Sequence, residues 1–321
     1  MRLTGLEWEQ QRHLDEVRDL WGTLGPLLQE RHGFTGGVTW KTVKGYEYLA
    51  RFRTDPVTHA KSFEYLGKRK PETEAIYADF QSTRAGLDGR IGGLQKRMDV
   101  AARVSKALRL GRMPTPSADA LRAIWRCGLQ DRLVVFGGAN VFAYEIQTGL
   151  LAPREALPGE TLDLMSHRNL SAELIDDLRR ALVGADRSYS FNAASSEFVS
   201  SDGFRIRLSA GPEVAGRLAE QDDEGVEEAL DWAFSLPALN GMVIGRDGQP
   251  ASGSFLDARA FLILSACALD SGLTASAHVE PAIEAVAVMV AEKMPEPFPS
   301  GFAGISPALE RAFGEVSSPS L

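Results

Sequence analysis

Leu133-Val134-Val135-Phe136-Gly137-Gly138-Ala139-Asn140 is a short apolar strand pattern that runs into two glycines and then into a helical stretch, Ala139–Thr148. After a Pro/Gly-rich excursion (Pro153, Pro158, Gly159), Thr161-Leu162-Asp163-Leu164-Met165 reads as a second strand. This order, strand, Gly-Gly, helix, strand with an acid, predicts an α+β core. Glycines permit close backbone approach, and the helix that follows offers unpaired N–H groups and the positive end of its dipole, which suits a phosphate. A plain tight turn is the other reading of Gly137 and Gly138. Asp163 reads either as a site carboxylate or as a surface ion-pair partner.

Downstream, Ser171 with Glu173 starts a helix through Leu182. Phe198-Val199 and Phe204–Leu208 flank Asp202-Gly203 as a hairpin. Met242–Ile244, Asp247-Gly248 and Ser254–Leu256 predict another, and helices dominate from Asp257 onward. Upstream, apolar residues at spacings of three and four predict a helix over Leu6–Gln29. Val38–Val43 and Tyr46–Arg53 form a hairpin pattern around Lys44-Gly45. Pro71, with Glu72 and Glu74 behind it, starts a helix expected to be interrupted at Gly86, Gly89 and Gly92-Gly93 on its way toward Leu110. Gly111–Ser117 is the clearest linker, with Ser117 a candidate cap for the helix after it. The expected organisation is a helical and hairpin module at 1–112, a core at 113–256 and a helical region at 257–321.

At 321 residues, with 44% hydrophobic and 24% charged content, the chain has material for a sizeable core. The two cysteines, Cys127 and Cys267, sit far apart in apolar stretches, as expected of buried thiols in a reducing compartment. There is no leader pattern at the N-terminus, and the most apolar stretches are too short to span a bilayer, so a soluble, cytoplasmic protein without membrane partners is expected. Residues 1–112 hold 20 Lys+Arg against 14 Asp+Glu, a balance of +6; the totals of 35 and 43 leave 15 against 29, or −14, for the rest. Either an anionic partner meets the basic front end, or the two halves attract each other. The five histidines show no metal-ligand spacing, and Trp8, Trp21, Trp125 and Trp232 lie in helical patterns expected to face the core.

The blocks Gly37–Leu49, Pro71–Tyr77, Ala107–Arg112, Val135–Asn140 with Ala143-Tyr144-Glu145, Val243–Pro250 and Asp257–Phe261 together resemble a bacterial nucleotidyltransferase-like family of the polymerase-beta-type superfamily. The resemblance runs in order from about residue 30 to 270. It implies a mixed sheet with flanking helices and a nucleotide site at Gly137, Gly138 and Asn140. It further implies a Thr-x-Asp-x-Asp strand and a third acid on a neighbouring strand, which would hold Mg²⁺ for transfer of a nucleotide.

This chain departs from that pattern. Asp163 remains, Met165 stands where the second acid is implied, and Arg207 stands at the third. Leu264-Ser265-Ala266 occupies a stretch in which the resemblance implies a lysine. Met is a poor ligand for hard Mg²⁺, and Arg207 favours pairing with Asp163 or with a phosphate. Glu160 is at odd spacing from Asp163 and points to the opposite face of a strand. Asp163 is therefore expected to be a catalytic remnant with no metal or other cofactor. The expected function is a non-catalytic binder of nucleotide, RNA or protein. The alternatives are an active enzyme using Mg²⁺ to transfer NMP from an NTP to a nucleic-acid or protein acceptor, and a regulatory subunit without nucleotide binding.

In the N-terminal hairpin, aromatic and basic residues interleave. Lys41, Lys44, Arg51, Lys68, Arg69 and Lys70 are candidate nucleic-acid contacts, because cations offset phosphate and rings offer stacking faces. The competing reading is a hairpin with one face in the core and a lysine-guarded edge.

Overall fold

In the computed structural model, residues 2–219, 224–273 and 277–316 are described. The chain opens with β1 (Thr4–Gly5) and α1 (Trp8–Gly33), followed by the antiparallel meander β2 (Gly37–Val43), β3 (Tyr46–Thr54) and β4 (Lys61–Lys68), and by α2 (Pro71–Ala107). Lys44 and Gly45 both have positive φ, 51° and 81°, the geometry that lets a two-residue loop follow the twist of its strands. β4 pairs with β3 to make a third strand beyond the expected hairpin.

α2 runs without interruption for 37 residues. Its glycines are exposed, and each weakens a helix by only about 1 kcal/mol relative to alanine. Phe80, Leu87, Met98 and Ala102 are buried along the helix and hold it in place. Buried His13 of α1 ties the two helices together, its Nε2 lying 3.1 Å from Ala101 O and 3.0 Å from Ser105 Oγ.

The remaining elements are α3 (Thr115–Arg126), β5 (Leu133–Phe136), α4 (Asn140–Thr148), β6 (Leu150–Leu151), β7 (Thr161–Ser166), α5 (Ala172–Ala185), β8 (Ser190–Asn192), β9 (Glu197–Val199) and β10 (Arg205–Ala210). Then come α6 (Gly211–Ala219), α7 (Glu224–Ser235), β11 (Leu239–Ile244), β12 (Pro250–Phe255), α8 (Ala258–Asp270), α9 (Val279–Lys293) and α10 (Pro307–Val316). Seven strands form a mixed sheet in the order β11-β12-β5-β7-β10-β9-β8. β5 and β7 are antiparallel, and β7 and β10 are parallel.

Alternation along the strands divides the core in two. Leu133, Val135, Leu162, Leu164, Ile206 and Leu208 face one way, against Leu121 and Ile124 of α3 and Leu174 and Leu178 of α5. Val134 and Met165 face the other way, against Tyr144, Phe261, Ile283 and Leu309 of the helices that follow. The fold is thus α+β with a mixed sheet and flanking helices, as the sequence predicts.

Some local expectations change. Ser117 is buried inside α3, which starts at Thr115 with Pro114 as its cap. Trp8 is 73% exposed, because the first helical position of α1 faces solvent, where the Arg12 guanidinium lies 5.3 Å from its ring centre. Trp21, Trp125 and Trp232 are half-buried. Cys267 is buried and Cys127 half-buried, and the two are not joined in a disulfide. No helix among the described residues is long and apolar enough to cross a membrane.

Candidate active site

β5 leaves the core at Phe136, and the chain turns through Gly137–Ala139 into α4. Gly137 has φ +69°, and a Cβ there would lie 3.3 Å from Asp163 Oδ2. A Cβ on Gly138 would lie 2.9 Å from Pro158 Cβ, closer than packing allows. Both glycines line a cavity of about 550 Å³ on the sheet face that carries Asp163 and Arg207. A volume of this order suits a small organic ligand.

Asn140 shapes this turn from behind. Its side chain is fully buried; the amide nitrogen donates to Val135 O and Gly137 O, each at 2.9 Å, and its oxygen accepts from Leu256 N at 2.8 Å. All of these bonds are to backbone, so the residue fixes the glycine turn to the end of β12 and does not line the cavity.

Arg207 of β10 stands opposite Asp163 of β7 in the parallel register. Arg207 Nε donates to Asp163 Oδ1 at 2.5 Å and Nη2 to Oδ2 at 3.0 Å, a bidentate pair; Nη2 also lies 3.4 Å from Thr161 Oγ1. Burial pushes the Asp163 carboxyl above its ordinary value, Arg207 opposes that shift, and the nearby Glu197 adds to it. Glu197 of β9 faces Arg207 from the other side in matching register. Its adjacency comes from the hairpin around Asp202-Gly203, and no local motif marks it in the sequence.

The two cavity-lining positions of β7 are Thr161 and Asp163. Met165, expected at the seat of a missing acid, is 2% exposed and packed in the apolar core. That end of β7 runs beneath the helices, and the partners of Met165 in the sheet are Val134 and Ser209. The position beside Asp163 that opens to the cavity therefore belongs to Thr161. Glu160 stays outside and pairs with Arg246 at 3.2 Å.

The opposite wall carries Glu213 and Arg217 of α6, which pair with each other, and Leu264 and Ser265 of α8. Leu264 and Ser265 occupy the stretch expected to hold a lysine. His278 also lines the cavity, and its Nδ1 lies 2.8 Å from Glu155 O, whereas His167 is exposed beyond the end of β7. Among the described residues no group of three or more His, Cys, Asp or Glu could hold a metal ion.

Other blocks that carry the resemblance contain residues with structural roles. Asp247 is held by Arg122 Nη1 and Nη2 at 2.8 and 2.9 Å. Asp257 accepts from Arg259 N at 2.9 Å and so caps α8.

The basic candidates of the N-terminal module divide between two faces of the meander. Arg51 faces the helices, donating to Gly33 O at 2.7 Å. Arg69 is held by Glu47 and Glu74 at 2.9 and 2.8 Å, and Lys70 lies 3.6 Å from Glu72. Lys44 sits in the β2–β3 turn. Lys41 and Lys68 lie on the outer face, over the rings of Phe63 and Tyr46.

No curated protein and no solved structure gives a match to this chain. A family model described as Nucleotidyltransferase matches residues 115–272, a span that starts with α3 and contains the Gly137-Gly138 turn, Asp163, Arg207 and the first wall helix of the C-terminal region. Over that stretch, just under half of its length, the chain is similar to this nucleotidyltransferase family.

Proposed function

We propose that this protein is a nucleotidyltransferase-fold binder whose cleft takes the phosphates of a nucleotide without two-metal chemistry. The observation that carries this reading is the bidentate Arg207–Asp163 pair beside the Gly137-Gly138 turn. Two-metal catalysis requires several carboxylates converging on the cations. Here the described lining of the cleft offers two carboxylates, Asp163 and Glu213, each already engaged by a guanidinium, and a threonine hydroxyl, with Glu197 beyond Arg207 on the sheet. That donor set does not fit a pair of Mg²⁺ ions, because hard cations need several oxygen ligands and the resident positive charge repels them. Arg207 itself supplies a planar donor group suited to phosphate. Its bonds to Asp163 and Thr161 use Nε and Nη2, and among the described residues no hydrogen bond takes Nη1, which can therefore meet a ligand.

Calorimetric titration with ATP, GTP, CTP and UTP, each with Mg²⁺ and with a chelator, tests the proposal. Binding that persists in chelator and is weakened by Arg207→Ala is the expected result. Binding that requires Mg²⁺, or release of pyrophosphate that Asp163→Ala abolishes, would show an active metal site and overturn it. No binding of any nucleotide would also overturn it and leave a regulatory role.

A further inference from the structure

The outer face of the β2–β3–β4 sheet has a composition that neither the core nor the cleft explains. Register places Lys41 beside Tyr48, Val43 beside Tyr46, Phe52 beside Phe63, and Thr54 beside Lys61 on one face. Trp40, Leu49 and Arg51 face the other way, toward Phe80 and Tyr77 of α2. The outer face therefore carries five aromatic rings in two cross-strand pairs plus Tyr46: Tyr48 with Tyr65 at 6.2 Å, and Phe52 with Phe63 at 6.2 Å. Tyr46 is 60% exposed, Tyr65 54% and Phe63 39%, which is unusual for large rings on a free surface.

Three lysines lie among the rings. Lys41 Nζ is 3.0 Å from the Phe63 ring centre, Lys68 Nζ 4.5 Å from Tyr46, and Lys61 Nζ 6.0 Å from Phe52. The two acids of these strands, Glu47 and Glu64, pair in register with Thr42 and Arg51 and so belong to the opposite face. Among the described residues none of the three lysines makes an ion pair. Exposed rings with interspersed, uncompensated cations and no carboxylate are complementary to unstacked bases joined by phosphates.

We propose that this face binds single-stranded nucleic acid. Bases stack on Tyr46, Phe63 and Tyr65, and Lys41, Lys61 and Lys68 take the phosphates. The proposal is independent of the nucleotide cleft.

The test is fluorescence anisotropy of the full chain with labelled oligo(U), oligo(dT) and a duplex, each of about 12 units, a length within the site sizes of stacking platforms. The single strands should bind more tightly than the duplex. With three phosphates engaged, log K should fall against log salt with a slope of about −2. Phe63→Ala with Tyr65→Ala should weaken binding about tenfold or more. Lys41→Gln, which leaves the rings in place, should weaken binding and reduce the slope by about 0.7. Lys96→Gln, on the exposed side of α2, should change neither. Oligo(U) and oligo(dT) both binding supports the proposal, and their ratio tells RNA from DNA. Absence of single-strand binding at low salt would overturn it, as would a preference for duplex. Full affinity in a folded Phe63/Tyr65 double variant would do the same. Self-association of the chain that Tyr65→Ala disrupts would assign the face to a protein partner instead.

Discussion

Arg207 grips Asp163 across two parallel strands, with Nε and Nη2 on the two carboxylate oxygens at 2.5 and 3.0 Å. Arg207 is 51% exposed and Asp163 27%, so the pair lies between a surface bridge and a buried one. Exposed pairs couple by about 0.2–1 kcal/mol and breaking a buried one costs about 3–5 kcal/mol; a coupling of about 1–2 kcal/mol is expected here. Arg207→Ala leaves the more buried partner alone and should destabilise more than Asp163→Ala. Urea unfolding of both single variants and the double variant measures this, and additive losses would show that the two side chains do not interact in solution.

A second arginine–carboxylate pair involves Glu145 of α4. Glu145 is almost fully buried, accepts from Ala152 N at 2.8 Å and faces Arg112 at 3.1 Å. Burial nonetheless pushes its carboxyl from an ordinary 4.5 up to about 7, with Arg112 and the Ala152 amide opposing. The folded state then binds the proton more tightly than the unfolded state. The stabilisation from this group is complete below pH 4.5 and is lost as pH rises through about 7. A shift of this size corresponds to about 3 kcal/mol over that window. The wild-type stability curve should therefore fall relative to that of Glu145→Gln between those limits and run parallel above them. Parallel curves throughout would mean that Glu145 is ionised in the folded protein at all these pH values.

Asn140→Ala removes the two donors that hold Val135 O and Gly137 O and the acceptor for Leu256 N. Leaving buried backbone groups unpaired costs roughly 1–3 kcal/mol each in the worst case, so a loss of about 2–3 kcal/mol is expected. Asn140→Asp keeps the acceptor but not the donors and should be nearly as damaging. Thermal melts check this; a stable Asn140→Ala variant with lost nucleotide binding would make Asn140 a ligand contact after all.

Gly137→Ala forces a side chain into a left-handed conformation and should destabilise by roughly 1–2 kcal/mol. Gly138→Ala meets Pro158 at 2.9 Å and has to displace the loop before β7, which borders the cleft. Gly138→Ala should therefore weaken nucleotide binding more than its effect on the melting temperature suggests. Equal affinity in a folded Gly138→Ala variant would place the ligand away from this turn.

Much of the fold was legible because it rests on local chemistry. Ser171 capping α5, with its Oγ accepting from Leu174 N at 3.1 Å, follows from one residue type at one position. Lys44-Gly45 marks the β2–β3 turn, Asp202-Gly203 the β9–β10 turn and Asp247-Gly248 the β11–β12 turn, for similar reasons. β4 leaves little mark in the sequence because Lys61–Lys68 has no apolar alternation facing a core; its rings face solvent. The helix through Gly86–Gly93 was expected to break because propensity counts glycines, whereas packing at Phe80, Leu87 and Met98 holds α2 together.

The sequence by itself determined the strand–Gly-Gly–helix–strand order and which residues alternate on β7, since a two-residue period and a glycine turn are local properties. It also placed Asp163 and Arg207 in the candidate site. Only the tertiary structure decided that Thr161 opens to the cleft while Met165 is sealed under Tyr144 and Phe261, because alternation assigns a face but not which end of the strand the helices cover. Likewise only the sheet order brought Glu197 beside Arg207, and only strand pairing gathered Lys41, Lys61, Phe63 and Tyr65 on one face. These groupings depend on long-range register, which is set by the packing of whole elements and leaves no short-range mark in the chain.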